Sequence, residues 1–255
     1  MNSIVGHGLW RSAVNGIEAN CSRSSARDQH WGTRRSILLR VKLTIYCADI
    51  GSVPKGRFGW ARSHADEAGI ERHREGTEIV ELVDAVAEDV TVGWAVALGF
   101  ECPLFVPVPT QVLCLGKARR GDGNRSWSAG AGAAALATGL VEVAWILSEL
   151  RRRCPSTKAH LDWSSFADAG SGLFLWEAFV SAGAKAGTHV DDAAIAVGTF
   201  RDALPDPSAA NAVGAERPLS LLGAALIWSG WTDDLNLLDT PCLVIRAAPS
   251  EGTDS

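Results

Sequence analysis

Leu43-Thr44-Ile45-Tyr46-Cys47-Ala48-Asp49-Ile50-Gly51 is an apolar, β-prone run that ends in one carboxylate and a glycine. A second apolar run, Phe58-Gly59-Trp60-Ala61, begins a few residues later. That order is how a hairpin opens when its first strand carries an acid to the end of a sheet. An aspartate among apolar residues is costly unless a cation or hydrogen-bond donors meet it. Three further groups fit the same cleft: Glu101 after the apolar run 92–100, Glu177 within 173–180, and His189-Val190-Asp191-Asp192 opening a helix.

The 255-residue chain is 47% hydrophobic and 21% charged, which is ordinary for one well-buried domain. A net charge of -5 excludes a strongly basic coat for nucleic acid but leaves room for a local basic groove. The cysteines, Cys21, Cys47, Cys102, Cys114, Cys154 and Cys242, show no C-x-x-C spacing. Several lie in apolar runs, which points to reduced core thiols rather than a zinc site. No uninterrupted apolar stretch reaches the roughly 20 residues of a membrane span, so no membrane partner is expected. The first forty residues carry Arg11, Arg23, Arg27, Arg34, Arg35 and Arg40 against only Glu18 and Asp28. A transit peptide shares that composition, but a disordered extension over 1–40 is the simpler reading. Without a hydrophobic leader core, the expected location is cytoplasmic.

From residue 42 the pattern is regular and reads as a single domain over 41–250. Residues 42–49 and 58–63 read as adjacent strands joined through Gly51, Pro54 and Gly56, with a third strand expected within 64–75. Ile79, Leu82, Val83, Val86 and Val90 recur at helical spacing. Residues 92–100 read as a continuous apolar strand, buried on both faces as in a parallel arrangement, and 173–180 as another strand. A long Ala-rich helix is expected over 129–150, and Thr188 is placed to cap a helix running to about Leu204. Later come an apolar run at 219–231 and a last candidate strand at 242–247. The order predicts an α/β fold: a five-stranded mixed sheet with helices on both faces, its first three strands antiparallel.

Crossover topology gathers strand ends at one edge of such a sheet, which would bring Asp49 and Glu101 together. His189 and Asp192 are three apart, hence on one helix face, while Asp191 suits the positive helix end. Carboxylates favour hard cations, so the expected cofactor is Mg²⁺ or Mn²⁺ held by Asp49, Glu101, Asp192 and Glu177. Two such ions can clamp the attacking and leaving oxygens of a phosphodiester, with His189 as a ligand or proton shuttle. Lys117, Arg119, Arg120 and Arg125, interleaved with glycines, form the expected phosphate-contacting patch for RNA or DNA.

Asp49-Ile-Gly51, Gly59-Trp60-Ala61, Gly99-Phe-Glu101-Cys-Pro103-Leu, Glu177 and His189-x-x-Asp192-Ala together resemble the RNase H-like nucleases of the DUF429 type, over roughly residues 43–200. The resemblance implies an RNase H-like fold and metal-dependent phosphodiester hydrolysis. It makes Asp49 the first-strand acid, Glu101 the second, and Asp192 the helix acid with His189 before it. Two other readings stay open. Asp49-x-Gly51-Ser52 and Asp168-Ala-Gly170-Ser-Gly172 also resemble the phosphate loops of sugar-kinase or actin-like ATPases, although those normally duplicate the fold. The third is an RNase H-like binding protein without catalysis.

Overall fold

The computed structural model describes residues 42–65, 71–123, 126–180 and 183–247, so the expected extension over 1–40 and Arg125 lie outside them. Strand β1 (Leu43–Asp49) runs antiparallel to β2 (Gly59–Ala65), which runs antiparallel to β3 (Glu71–Gly76). Helix α1 (Ile79–Thr91) then crosses over to β4 (Ala95–Glu101), parallel to β1. Strand β5 (Phe105–Pro107) and the long helix α2 (Gly130–Arg153) follow, then the two-residue β6 (Ala159–His160) and the short α3 (Trp163–Ala169). Strand β7 (Gly172–Val180) lies parallel to β4 and leads to α4 (His189–Asp202). The chain closes with β8 (Pro218–Ser220), α5 (Leu221–Trp228) and β9 (Leu243–Ala247).

The α/β class holds, but the mixed sheet has seven strands rather than the expected five. Its order is β3-β2-β1-β4-β7, with two short strands sharing the outer edge of β7. β6 pairs with Leu173 and Phe174, and β9 pairs with the stretch from Trp176 to Val180. An open edge along so long a strand would leave unpaired amide and carbonyl groups, and the two segments cover it end to end. A two-residue strand carries no alternation to read, which is why β6 left no trace in the pattern.

Alternation along the strands divides the core. On one face Tyr46, Ala48, Val96, Leu98, Phe100 and Leu175 pack with residues of α1, α2 and α5. On the other, Ile45, Cys47, Ala97, Phe174 and Trp176 pack under α3 and α4. Cys47, Cys102, Cys154 and Cys242 are free and buried, as expected of core thiols. Helix α2 is long and apolar enough, by length and composition, to cross a membrane, although Glu142 interrupts its apolar run. In this fold it packs against α1, α5 and β4.

Gly99 is the position where β4 and β7 depend on a missing side chain. A Cβ there would run into the Trp176 indole, which lies across β4 from the neighbouring strand. Gly99→Ala is therefore expected to cost about 1–3 kcal/mol through overpacking, read as a lower urea midpoint. An unchanged midpoint would mean that the indole has room to move.

Candidate metal centre

Asp49 and Glu101 are the last residues of β1 and β4 and are register partners in the parallel pair. Equal position and equal parity put both carboxylates on the α4 face, on strands about 4.8 Å apart. The third acid, Asp192, comes from the first turn of α4. Thr188 caps that helix, accepting a hydrogen bond from the Asp191 amide at 3.1 Å, while Asp191 turns its own carboxylate to the Thr188 hydroxyl. Asp191 thus stays out of the cluster, as its position predicted. Gly59, opposite Asp49 on β2, seats the helix: a Cβ there would collide with the backbone of His189 and Val190.

The outcome is that ligand oxygens of Asp49, Glu101 and Asp192 all lie within 4.8 Å of one another. His189 joins them through Nδ1, 2.5 Å from Asp49 Oδ2. Asp49 and Asp192 are buried, and the Glu101 side chain is only 11% exposed.

Sequence reasoning missed Lys185. Its ammonium lies 2.9 Å from Glu101 Oε1 and 2.8 Å from Asp192 Oδ2. The next residue, Ala186, donates its amide to Asp192 Oδ1 at 2.7 Å. The available signal was positional. Lys185 is a lone cation in a small-residue connection between the C-terminal end of a parallel strand and a helix, where such sheets bind ligands.

Burial raises the Asp49 pKa to about 6, against the opposing pull of the Lys185 charge. Burial and then the neighbouring Asp49 charge raise Glu101 to about 8, again with Lys185 opposing. Burial works against the Lys185 ammonium, but the surrounding carboxylates outweigh it and raise its pKa. Glu101 Oε2 is buried without a hydrogen-bond partner. Hard oxygens converging from β1, β4 and α4, one of them unsatisfied, fit a divalent cation.

Glu177 does not belong to this cluster. It pairs in register with Phe100, so its side chain leaves the sheet on the face opposite Glu101. There its carboxylate accepts two hydrogen bonds from the Arg119 guanidinium, at 2.8 and 2.6 Å, and one from the Leu104 amide at 2.9 Å. Arg119 also pairs with Asp122, and its side chain is only 2% exposed. The expected phosphate contact at Arg119 is thereby corrected: a carboxylate sandwich holds the guanidinium in the core. Lys117 and Arg120 are exposed, and the Arg120 backbone is bonded to Gly214.

The candidate second phosphate loop is also placed elsewhere. Gly170 ends α3 in the left-handed conformation (φ 64). Gly172 opens β7 opposite Ala95, the first residue of β4. Glu101 ends the same strand, about 20 Å further along at 3.3 Å per residue. Asp49 and these glycines therefore sit at opposite edges of the sheet.

A carboxyl whose pKa is higher folded than unfolded keeps its proton while the unfolded chain releases it, so stability falls as pH rises between the two values. Raised values for Asp49 and Glu101 predict a metal-free protein that loses stability from about pH 4 to about pH 8. Glu101→Gln should flatten that slope and melt above the parent protein at pH 8 in the presence of a chelator. Parallel melting curves for the two proteins across this range would refute it.

Comparison with protein-family models, with curated proteins and with solved structures gives no match.

Proposed function

We propose that the protein is a divalent-metal-dependent nuclease that hydrolyses phosphodiester bonds in RNA or DNA. The observation that carries this reading is the convergence of Asp49, Glu101 and Asp192 at the C-terminal edge of the parallel strands. The order β3-β2-β1-β4-β7, with Asp49 on the central β1 and the first three strands antiparallel, supports an RNase H-like arrangement. β6 and β9 are then additions at one edge.

Asp49, Glu101 and Asp192 would hold Mg²⁺ or Mn²⁺, which when bound lowers the pKa of water and offsets phosphate charge. The chain's own groups do the rest. Asp49 fixes the His189 ring through Nδ1, leaving Nε2 as the nitrogen that can take or give a proton. The His189 side chain is 39% exposed, so a substrate atom can reach it. Lys55 and Arg57 lie exposed in the β1–β2 connection, which folds back until the Arg57 carbonyl touches Gly51. They bring positive charge beside the acid-bearing strand end, where a phosphate backbone would approach.

Labelled RNA and DNA, linear and branched, incubated with Mg²⁺ or Mn²⁺ should be cleaved. Asp49→Asn and Asp192→Asn should each reduce cleavage to background. At a hundredfold excess over its dissociation constant, the metal should also stabilise the fold by about 2.7 kcal/mol, an effect lost in Asp49→Asn. Release of phosphate from ATP with no strand cleavage, or cleavage undiminished in Asp192→Asn, would reject this function.

A further inference from the structure

Resting on the metal reading above, we propose that Lys185 is the fixed second cation of the site, so that the acid cluster binds one divalent ion rather than two. The oxygens of the three acids are not equally available. Asp192 is held at both: its Oδ2 by the Lys185 ammonium at 2.8 Å and its Oδ1 by the Ala186 amide at 2.7 Å. Glu101 gives Oε1 to the same ammonium at 2.9 Å, while its Oε2 is buried with no N–H or hydroxyl donor and its other charged neighbour is the Asp49 carboxyl. Asp49 gives Oδ2 to His189. The oxygen left without a partner is therefore on the Asp49–Glu101 side, while the Glu101–Asp192 side already has a positive charge between its carboxylates.

Charge balance points the same way. Metal binding requires the ligating carboxylates to be deprotonated, and with all three ionised the single ammonium leaves a deficit that one divalent ion neutralises. A second would place like charges within a few ångströms of one another in a largely buried site. Local structure keeps the lysine there. Its neighbour Ala186 is bonded to the same aspartate, and Thr188 caps α4 immediately afterwards, so the ammonium is anchored on both its carboxylate and its backbone side. At 35% exposed, the lysine side chain stays partly open to solvent while its ammonium bridges the two carboxylates. Lys185 would then do by position what a second ion does by diffusion: hold Asp192 against Glu101 and present a positive charge to the oxygens of a bound phosphate.

The stoichiometry of Mn²⁺ binding, measured by isothermal titration calorimetry and by the electron paramagnetic resonance of unbound Mn²⁺, tests this without reference to activity. The wild-type chain should take up one ion, and Lys185→Arg, which keeps the charge, should also take up one. Lys185→Ala should take up two, with thermal melting confirming that it is folded. Two ions in the wild-type protein overturn the inference while leaving the nuclease reading in place, and this arm needs no variant to fold. One ion in both the wild-type protein and a folded Lys185→Ala likewise overturns it, since the lysine would then not be holding a cation's place. No ion bound by either protein removes the metal reading and this inference together.

Discussion

Parallel pairing of β1 with β4 sets Asp49 directly beside Glu101, on the same face and at the same height. Two buried carboxylates one strand spacing apart repel when both are ionised, and neither reaches bulk water freely. The surrounding parts of the fold answer that constraint. The His189 ring meets Asp49 from the start of α4, and Lys185 bridges Glu101 to Asp192 from the connection just before it. Gly59 lets that helix start descend onto the sheet close enough for both to reach. A side chain at this one position in β2 would lift the helix and separate the acids from their counter-charges.

The helix is held down at its far end by aromatic packing. Phe200, in the last turn of α4, lies 4.6 Å from the Trp176 ring and 5.7 Å, nearly edge-on, from Trp163. Trp163 in turn meets Phe174 edge to face at 5.2 Å. Such contacts add about 0.5–1.5 kcal/mol each beyond the apolar area they bury. They pack the C-terminal end of α4 onto the sheet, while Lys185, the Ala186 amide and the close approach at Gly59 place Asp192 at its start.

A second ionic network lies behind the first, across the sheet. Glu177, Arg119 and Asp122 are all buried, with Arg119 paired to both carboxylates, and they tie the 117–123 segment to β7. Arg246 donates to the Gly121 carbonyl from β9, fastening the same segment to the sheet edge. Removing either partner of such a buried pair strands a charge, so the network fixes geometry more than it adds stability. The two clusters therefore differ: Glu177 and Asp122 are both met by Arg119, whereas the acid cluster on the other face keeps an oxygen of Glu101 without a donor.

Much of the fold was legible because periodicity is a local property. The alternating and continuous apolar runs around Leu43–Asp49 and Gly172–Val180, the helical spacing of Leu82, Val83 and Val86, and the Thr188 cap all follow from neighbours within a few residues. The candidate acids Asp49, Glu101 and Asp192, with His189, were legible for the same reason, as polar residues interrupting apolar ends. Glu177 was misjudged although its parity was readable: it alternates with Trp176 and Ala178, so one register step sends it to the other face. Arg119 was beyond local reading, and Lys185 offered only its place between a strand end and a helix start. A basic residue in a polar loop looks the same whether solvent or a carboxylate 58 residues away receives it. Only the assembled sheet decided which cation was buried against Glu177 and which stood among the acids, because both choices depend on distances between strand ends that no local pattern contains.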